Sequence, residues 1–411
     1  MIYWKTDLMK NIIYTGAFRF PDKDAASQRV LGIAKALRMG QVNTLFCGWE
    51  QRPREQDLSA DGIYYYDEFP YYSQAELDRY IKTNFKKLYH FLFKGANTIK
   101  WIKKYIKSAH VDAIIIYNAN SYFIYNLYRL CKRYNIKLIC DCTEWYDGSH
   151  LPGGKYGLAN IDNNLRIRFL YPCIKNIISI STYLDDYFKK KGCHTIIVPP
   201  LVDIQDSMWA YSEITGLSKT IDRPINIIYA GDPAKKDQLD SIISALNEIN
   251  KNTVQIIFTI LGVSESVLKN KLCANYNVLP SYIKCAGRVD HLLVPQYYMK
   301  SDFSIVIREY KRYAHAGFPT KLVESLSLGI PVIANSTSDI SKYIIDGKTG
   351  FLLKSNSVLD LIRCFEDVLA LDKKIIYEMK INAYKSAQIN FDIRAHSEKI
   401  NKYIYSITFS E

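Results

Sequence analysis

The chain contains the segment Gly317-Phe-Pro-Thr-Lys-Leu-Val-Glu-Ser-Leu-Ser-Leu-Gly-Ile-Pro-Val-Ile333. Gly317 permits a close backbone approach, and Pro319 and Thr320 predict the start of a short helix with Thr320 as its cap. The amides at that start would point at an anion such as a phosphate. Glu324 lies one turn further among apolar residues, where a carboxylate needs a partner. The adjacent hydroxyls of a ribose are one such partner, and a local cap or ion pair is the alternative.

A strand and a basic loop precede this segment. The run Phe303–Ile307 is strand-like, and the loop after it carries four basic side chains: Arg308, Lys311, Arg312 and His315. Open α/β sheets bind ligands at the carboxyl ends of their strands, near helix N-termini. The pattern therefore predicts an anion-binding site where this strand ends.

The rest of the chain alternates apolar β-branched runs with helical patterns, which predicts doubly wound parallel sheets of the α/β class. The runs in the first half are 11–14, 42–46, 113–117, 137–140, 177–180 and 195–198. Those in the second half are 225–229, 255–261, 283–286, 303–307 and 331–334. Two such sets in tandem predict two Rossmann-like domains.

The length of 411 residues also favours two domains, because a single hydrophobic core rarely grows so large. Prolines and polar residues cluster between Pro199 and Pro224. We place an N-terminal domain at 1–205 and a C-terminal domain at 206–390. A last helix, 391–411, is expected to pack back toward the N-terminal domain.

Composition limits the compartment and the chemistry. No run of about 18 apolar residues predicts a membrane-spanning helix, and the first residues lack an apolar signal core. The nine cysteines have no metal-ligand spacing, so they are interpreted as reduced thiols. These features favour a cytoplasmic protein without a metal site.

A second candidate phosphate loop follows the strand at 225–229. It reads Gly231-Asp-Pro-Ala-Lys-Lys236 and leads into a helix predicted from about Asp237 to Asn250. Lys235 and Lys236 are placed to meet a diphosphate. A solvated lysine pair on an ordinary loop is the alternative.

The segment 317–333 resembles the donor-site motif of the group 1, or family 4, glycosyltransferases. Ala286-Gly-Arg-Val289, Asp346-Gly-Lys-Thr-Gly-Phe-Leu352 and Val198-Pro-Pro-Leu-Val-Asp203 resemble other stretches of that family. The resemblance implies a GT-B fold, with two domains facing each other across a cleft. It also implies metal-independent transfer, usually with retention, from a nucleotide sugar. UDP-sugars are favoured as donors, and a glycan or lipid-linked saccharide of surface polysaccharide (capsule or O-antigen) as acceptor.

The resemblance also assigns roles to residues. Glu324 would bind the ribose, and Arg288 and Val289 would lie near the base. The diphosphate would contact Gly231, Lys235, Lys236 and the backbone at Phe318 and Thr320.

Three positions depart from the family pattern. Ala316 stands where a sugar-binding glutamate is common, and Asp232 where an arginine is common. A histidine expected after the third strand is absent from Tyr117-Asn-Ala-Asn120. Arg308 and His315 are candidates for the missing donor contacts and for catalysis, although packing would equally explain His315.

Acceptor chemistry is expected in the first half. Glu144 follows the strand at 137–140 and is a candidate general base or orienting group. A structural hydrogen bond is the alternative. Gly16, Asp24 and Ser27, on the first loop, are further acceptor-side candidates.

The net charge of +13 suggests an anionic partner. Residues 80–107 combine lysines with bulky apolar side chains, which is typical of helices at an anionic membrane surface. We therefore expect peripheral membrane binding there, unless those aromatics enter the core. No nucleic-acid-binding motif accompanies the charge.

Two alternatives to a glycosyltransferase remain. One is another enzyme on the same fold, such as an epimerase or a phosphorylase. The other is a non-catalytic nucleotide-sugar-binding partner subunit, suggested by Ala316 and the absent histidine.

Overall fold

The structure is a computed structural model that describes residues 10–21, 24–49, 63–74, 76, 83–209, 223–231, 237–272 and 278–409. The chain forms two compact units. The first comprises Met1–Leu201 and His396–Glu411, and the second comprises Val202–Ala395. The boundaries predicted at 205 and 391 lie close to these limits.

Fourteen strands lie in the described residues. They are β1 Lys10–Gly16, β2 Val42–Gly48, β3 Tyr64–Tyr66, β4 Phe69–Ser73, β5 Ala113–Tyr117, β6 Lys137–Cys142, β7 Asn176–Ser179, β8 His194–Ile197, β9 Ile225–Ala230, β10 Ile256–Leu261, β11 Ile283–Gly287, β12 Phe303–Val306, β13 Val332–Asn335 and β14 Gly350–Leu353.

The α-helices among the described residues number sixteen. They are α1 Ala25–Arg38, α2 Asn84–Phe93, α3 Ala96–Tyr105, α4 Ser121–Tyr134, α5 Leu158–Leu165, α6 Tyr171–Ile174, α7 Thr182–Lys189, α8 Leu239–Ile249, α9 Glu265–Leu272, α10 Val294–Met299, α11 Arg312–Ala316, α12 Thr320–Ser327, α13 Ile340–Tyr343, α14 Val358–Leu369, α15 Lys373–Asn390 and α16 Ile393–Thr408. A π-helical turn, Arg166–Leu170, joins α5 to α6.

Within the described residues, each unit contains one sheet. The first has the order β3-β4-β2-β1-β5-β6-β7-β8 and is parallel except for the pair β3–β4. The second has the order β11-β10-β9-β12-β13-β14 and is parallel throughout. The prediction of two Rossmann-like α/β domains is therefore confirmed.

Right-handed crossovers decide which face of the first sheet each helix covers. From β1 the chain crosses to β2 toward one edge of the sheet, whereas from β5 it crosses through β6 to β7 toward the opposite edge. The crossover helix α1 therefore lies on one face, and α4 and the helical stretch 158–174 lie on the opposite face. The residues of β5 are buried, as expected for a strand covered on both sides.

The strands predicted from apolar runs all occur in the structure, with small shifts at their ends. The patterns did not indicate β3, β4 or β14. These strands contain no Val, Ile or Thr, and β4 contains Pro70, so the β-branched pattern that marks the other strands is missing.

The last helix, α16, packs against the first unit through its polar side chains. Ser397 Oγ and Asn401 Nδ2 donate to the carbonyl oxygen of Ala36, over 2.7 and 2.9 Å. Tyr403 Oη donates to the carbonyl oxygens of Ile177 and His194, over 3.1 and 2.9 Å. These bonds anchor the helix to α1 on one side and to the ends of β7 and β8 on the other.

A buried ion pair joins α1 to the sheet of the first unit. Arg29 donates to Asp141, with its shortest N–O distance at 2.6 Å, and Tyr14 Oη donates to the same carboxylate over 2.6 Å. The side chains of Arg29 and Asp141 are 2% and 0% exposed. Burial, followed by the charge of Asp141, raises the pKa of Tyr14 well above its usual range, so its phenol stays a donor.

Replacing one partner of this pair should destabilise the first unit. Arg29→Met leaves the Asp141 carboxylate buried without its cation, which should lower the free energy of unfolding by about 3–5 kcal/mol. Urea unfolding would measure the loss. Lys402→Met breaks the exposed pair of Lys402 with Glu398 and should leave the urea midpoint nearly unchanged. Equal midpoints for Arg29→Met and wild type would contradict the assignment.

Candidate functional site

The second sheet has a topological switch point between β9 and β12. From β9 the chain proceeds to β10 and β11 on one side, whereas β12, β13 and β14 lie on the other. Ligands of such sheets bind in the crevice at this point, beyond the carboxyl ends of the strands. The loop beginning at Gly231 follows β9, and Arg308 follows β12 shortly after its end. The structure therefore places Gly231 and Arg308 at the switch point.

Gly231 brings the end of β9 into contact with α12. Its φ of +129° is unfavourable for other residues, and a Cβ atom there would lie 2.7 Å from Lys321 Cε. The positive φ favours glycine here, and the Gly231 backbone adjoins the end of the Lys321 side chain.

Lys321 belongs to a charged cluster at this point. Its Nζ donates to Asp237 Oδ2 over 3.0 Å and lies 3.7 Å from the centroid of the Tyr229 ring. Tyr229 Oη donates to the same Asp237 oxygen over 2.6 Å. Arg308 Nε lies 3.4 Å from Asp237 Oδ1. Two cations thus face one carboxylate, which leaves an excess of positive charge.

The pKa of Asp237 shows which effect dominates in this cluster. Burial of the carboxyl raises its pKa and is the largest single effect. The charges of Lys321 and Arg308, with hydrogen bonds from Tyr229 and Lys321, together outweigh it, so the pKa lies below its usual value. Asp237 is therefore ionised at neutral pH and holds Lys321 in place.

Lys321 and Asp237 are site residues that the sequence patterns did not indicate. The available signal was the position of Lys321 in the first turn of the predicted phosphate-binding helix. Its contact with Asp237, 84 positions away, follows from the tertiary structure.

Glu324 lies one turn beyond Lys321 on α12 and is half-buried. Tyr298 donates a hydrogen bond to its carboxylate, and burial raises the pKa of Glu324 above its usual value. The neighbouring Ser325 Oγ donates to Ser304 Oγ over 2.6 Å, which fixes α12 to β12. Glu324 is thus held in place by one phenol, and carboxylate oxygens have capacity for further donors.

The predicted cap of this helix is wrong by one position. The helix begins at Thr320, and Pro319 occupies the N-cap position without a side-chain hydrogen bond to the amides of the first turn. Pro319 has no side-chain acceptor, so the amides of the first turn remain available for an anion. Phe318 is buried against the rings of Tyr343 and Phe391, at 5.6 and 6.2 Å, which fixes the chain before the helix.

Arg308 and His315 are held by protein groups. The backbone of Arg308 exchanges hydrogen bonds with the Asn335 amide, and its side chain is buried beside Asp237. His315 lies in the short helix α11, where its Nδ1 accepts from the amide of Ser338 over 3.3 Å. Arg308 therefore joins the cluster, whereas the contact of His315 with Ser338 supports the loop. Their catalytic roles stay predictions.

The remaining donor-side candidates lie apart from the cluster or outside the described residues. Arg288 and Val289 follow β11, an edge strand, with Arg288 exposed and Val289 half-buried. Lys235 and Lys236 lie outside the described residues, so their assignment to the diphosphate stays a prediction.

The first sheet has its own switch point, between β1 and β5. Gly16 ends β1 with a φ of +130°, and a Cβ atom there would lie 2.3 Å from the carbonyl oxygen of Tyr117. That oxygen accepts from the amide of Ala17 over 2.9 Å. Gly16 therefore lets the first loop cross the end of β5.

Glu144 lies beside this switch point, just after β6. Tyr146 donates a hydrogen bond to it. Asn118, with a φ of +38°, bonds to Thr143 through its side chain and so joins the loop after β5 to that after β6. The loop that carries Glu144 is thus positioned by its neighbours, and its role as a base stays a prediction.

Asp24 and Ser27 have structural contacts. Asp24 caps α1 by accepting from the amide of Ser27 over 2.8 Å, and it pairs with Arg19 over 2.7 Å. Ser27 is buried, and its Oγ donates to the carbonyl oxygen of Asp24. Capping of α1 therefore accounts for the contacts of both residues, without a role in binding the acceptor substrate.

Metal-binding clusters of side chains and membrane-spanning helices are both absent from the described residues. No group of three or more His, Cys, Asp or Glu side chains there is arranged to hold a metal ion. No helix in the same residues is both long and apolar enough to cross a bilayer.

Residues 218–386 match the model of the family described as Glycosyl transferases group 1. Over 141 residues the chain is 26% identical to the GtfA subunit of UDP-N-acetylglucosamine--peptide N-acetylglucosaminyltransferase from Streptococcus pneumoniae, covering 33% of this chain and 25% of that protein. It is 27% identical over 141 residues to an uncharacterized glycosyltransferase from Methanocaldococcus jannaschii, covering 34% of each. These matches span a quarter to a third of the curated relatives.

Solved structures resemble the whole chain. Sucrose-phosphate synthase from Thermosynechococcus elongatus aligns with a TM-score of 0.73 and 15% identity, over 97% of this chain and 98% of that one. Anabaena HepE in complex with UDP and glucose aligns with a TM-score of 0.64 and 15% identity, over 97% and 98%. At this identity the likeness establishes the fold alone. The chain has the GT-B fold of two Rossmann-like domains, and its residues 218–386 are similar to the group 1 glycosyltransferases.

Proposed function

We propose that the protein transfers a sugar from a nucleoside-diphosphate sugar, bound at the switch point between β9 and β12. One observation carries this proposal. The excess positive charge of Lys321 and Arg308 over Asp237 lies one helical turn from the carboxylate of Glu324. A nucleoside diphosphate presents the complementary pair of groups, an anion beside a ribose diol.

The residues of the site have distinct roles in this proposal. Glu324 accepts from the ribose hydroxyls, while Lys321 and the amides at the start of α12 donate to the diphosphate. Departure of the diphosphate leaves negative charge on its distal phosphate, and preorganised cations and amides stabilise such charge as it develops. This arrangement supports transfer without a metal ion.

The donor base is proposed to be uracil. The similar structure of Anabaena HepE is a complex with UDP and glucose. The relative from Streptococcus pneumoniae is named for transfer from UDP-N-acetylglucosamine. Neither name determines the sugar used here.

The proposed acceptor is a glycan or lipid-linked saccharide of a surface polysaccharide, with transfer by retention. Glu144 is the proposed base or orienting group for the acceptor hydroxyl. A carboxylate that already accepts from Tyr146 has remaining lone pairs for such a hydroxyl.

A non-catalytic nucleotide-sugar-binding subunit is the second candidate. The observation in its favour is Ala316, which is fully buried and offers no carboxylate where a sugar-binding glutamate is common. A binder would hold UDP-sugar yet release no UDP with any acceptor extract. Release of UDP that depends on an acceptor would exclude it.

Glu324→Gln should weaken UDP-glucose binding roughly tenfold to a hundredfold at neutral pH, since a charged acceptor for the ribose is lost. The raised pKa of Glu324 adds a pH dependence. The wild-type affinity for UDP-glucose should reach its full value above that pKa, where Glu324 is ionised, and should fall as the pH falls through it. Calorimetric titration should show that the affinity for UDP-glucose differs less between about pH 5 and pH 8 in the variant than in the wild type.

The matched control for this experiment is Glu366→Gln, which changes an exposed glutamate on α14. It should bind as the wild type does. Equal affinities of Glu324→Gln and wild type at neutral pH would reject the ribose contact.

Lys321→Gln should weaken UDP binding roughly tenfold or more and leave uridine binding unchanged, because the lysine contacts the diphosphate alone. Calorimetric titration with both ligands separates this effect from that of Glu324→Gln, which should weaken both. Lys342→Gln, at an exposed lysine of α13, is the control. An equal loss for UDP and uridine would indicate a distorted site and contradict the assignment.

Glu144→Gln should slow sugar transfer about a hundredfold while UDP affinity stays unchanged, since a general base contributes to the chemical step and not to donor binding. Steady-state rates and titration would be compared with those of Glu398→Gln, at an exposed glutamate of α16. A transfer rate equal to that of wild type would remove Glu144 from the mechanism.

A further inference from the structure

The helical stretch 158–174 in the first unit exposes an apolar stripe. Leu158, Ile161, Leu165 and Phe169 are 51, 55, 43 and 61% exposed. Their spacing of three, four and four residues places them on one side of the helix, over a length of about 16 Å. A helix of a globular protein normally turns such a stripe toward the core, so this one faces outward for another reason.

Neighbouring helices extend the apolar surface. On α2, the side chains of Leu88, Tyr89, Leu92 and Phe93 are exposed, and the Phe93 ring packs on Tyr122 of α4 at 5.2 Å. The N-terminus of α4 is tied to the stretch 158–174, because the Ser121 amide donates to Asp162 Oδ1 over 2.9 Å. The exposed Tyr125 lies one turn further along α4. The stripe therefore has apolar neighbours on two adjoining helices.

The charge of these helices has one sign. Residues 84–107 and 121–134 contain no Asp or Glu, yet they carry lysines and arginines. The stretch 155–175 contains one acidic residue, Asp162, whose carboxylate is engaged by the Ser121 amide. Lys155 and Arg168 are exposed beside the stripe. Apolar side chains flanked by cations fit an apolar layer that carries anionic groups at its surface.

We propose that this face, formed by 158–169 with α2 and the start of α4, docks on an anionic lipid bilayer. The stripe enters the boundary between headgroups and acyl chains, to a depth of ~5–10 Å, and the flanking cations meet lipid phosphates. The proposal differs from the sequence-based expectation for 80–107. On α3, Trp101 is half-buried and packs on Tyr72 and Tyr105, so α3 offers lysines but little apolar surface.

The stripe begins near the acceptor-side loop of the same unit. Asn163 Nδ2 donates to the carbonyl oxygen of Tyr146 over 3.2 Å, and Tyr146 in turn donates to Glu144. A bilayer on this face would therefore lie beside the loop that carries Glu144. The docking itself does not depend on the donor site or on catalysis.

Vesicle flotation with the full chain tests the proposal. Wild type should float with vesicles of phosphatidylglycerol and phosphatidylcholine at low salt, and much less with pure phosphatidylcholine or at high salt. The double variant Ile161→Ser/Phe169→Ser should lower the partition coefficient about tenfold or more, since both side chains lose their apolar burial in the lipid. Lys155→Gln/Arg168→Gln should lower it as well, and reduce its salt dependence.

Leu359→Ser/Ile389→Ser is the matched control, because Leu359 and Ile389 are 67 and 72% exposed in the second unit. It should float as wild type does. The proposal is overturned if wild type does not float with anionic vesicles, or if the stripe variant floats equally well. Sedimentation velocity adds a further outcome: a dimer that the stripe variant dissociates, without vesicle binding, would assign the face to a second copy of the chain. UDP titration of the stripe variant should be unchanged, so failure here leaves the proposed function intact.

Discussion

The buried carboxylate of Asp237 is the constraint on which the candidate donor site depends. A charge in that position is unfavourable unless cations and donors compensate it. The compensation comes from Tyr229 on β9, Lys321 on α12 and Arg308 after β12. One side chain thereby fixes the three elements that meet at the switch point. It also directs the first turn of α12, with its uncapped amides, toward the end of β9.

The first unit contains a cluster of similar design. A tyrosine stands two residues before the glycine that ends the first strand in both units, at Tyr14 and Tyr229. Each tyrosine donates to a buried carboxylate over 2.6 Å. The two carboxylates differ in how many of their oxygens accept hydrogen bonds. Arg29 binds both oxygens of Asp141, whereas Asp237 Oδ1 receives no hydrogen bond from the described residues.

The two clusters therefore differ in whether they can interact with a ligand. A saturated pair such as Arg29–Asp141 has no remaining interaction to offer a ligand, so it contributes to the arrangement of α1 and β6. The cluster around Asp237 has more positive than negative charge and unused hydrogen-bonding capacity. An anion that arrives there completes the electrostatic balance, which is the physical basis of a site that is preorganised without ligand.

The sequence by itself determined the class of fold and predicted the residues of the candidate donor site. Continuous β-branched runs identify buried parallel strands, and the segment 317–333 identifies the helix start and Glu324, because both signals depend on neighbouring residues. Strands such as β3 and β14 contain no β-branched residue and so give no such signal. The tertiary structure alone brought Lys321 to Asp237, made Asp24 a cap and turned the stripe at 158–169 outward. These outcomes follow from contacts between distant parts of the chain, and from which face of a helix the sheet covers, which no local pattern specifies.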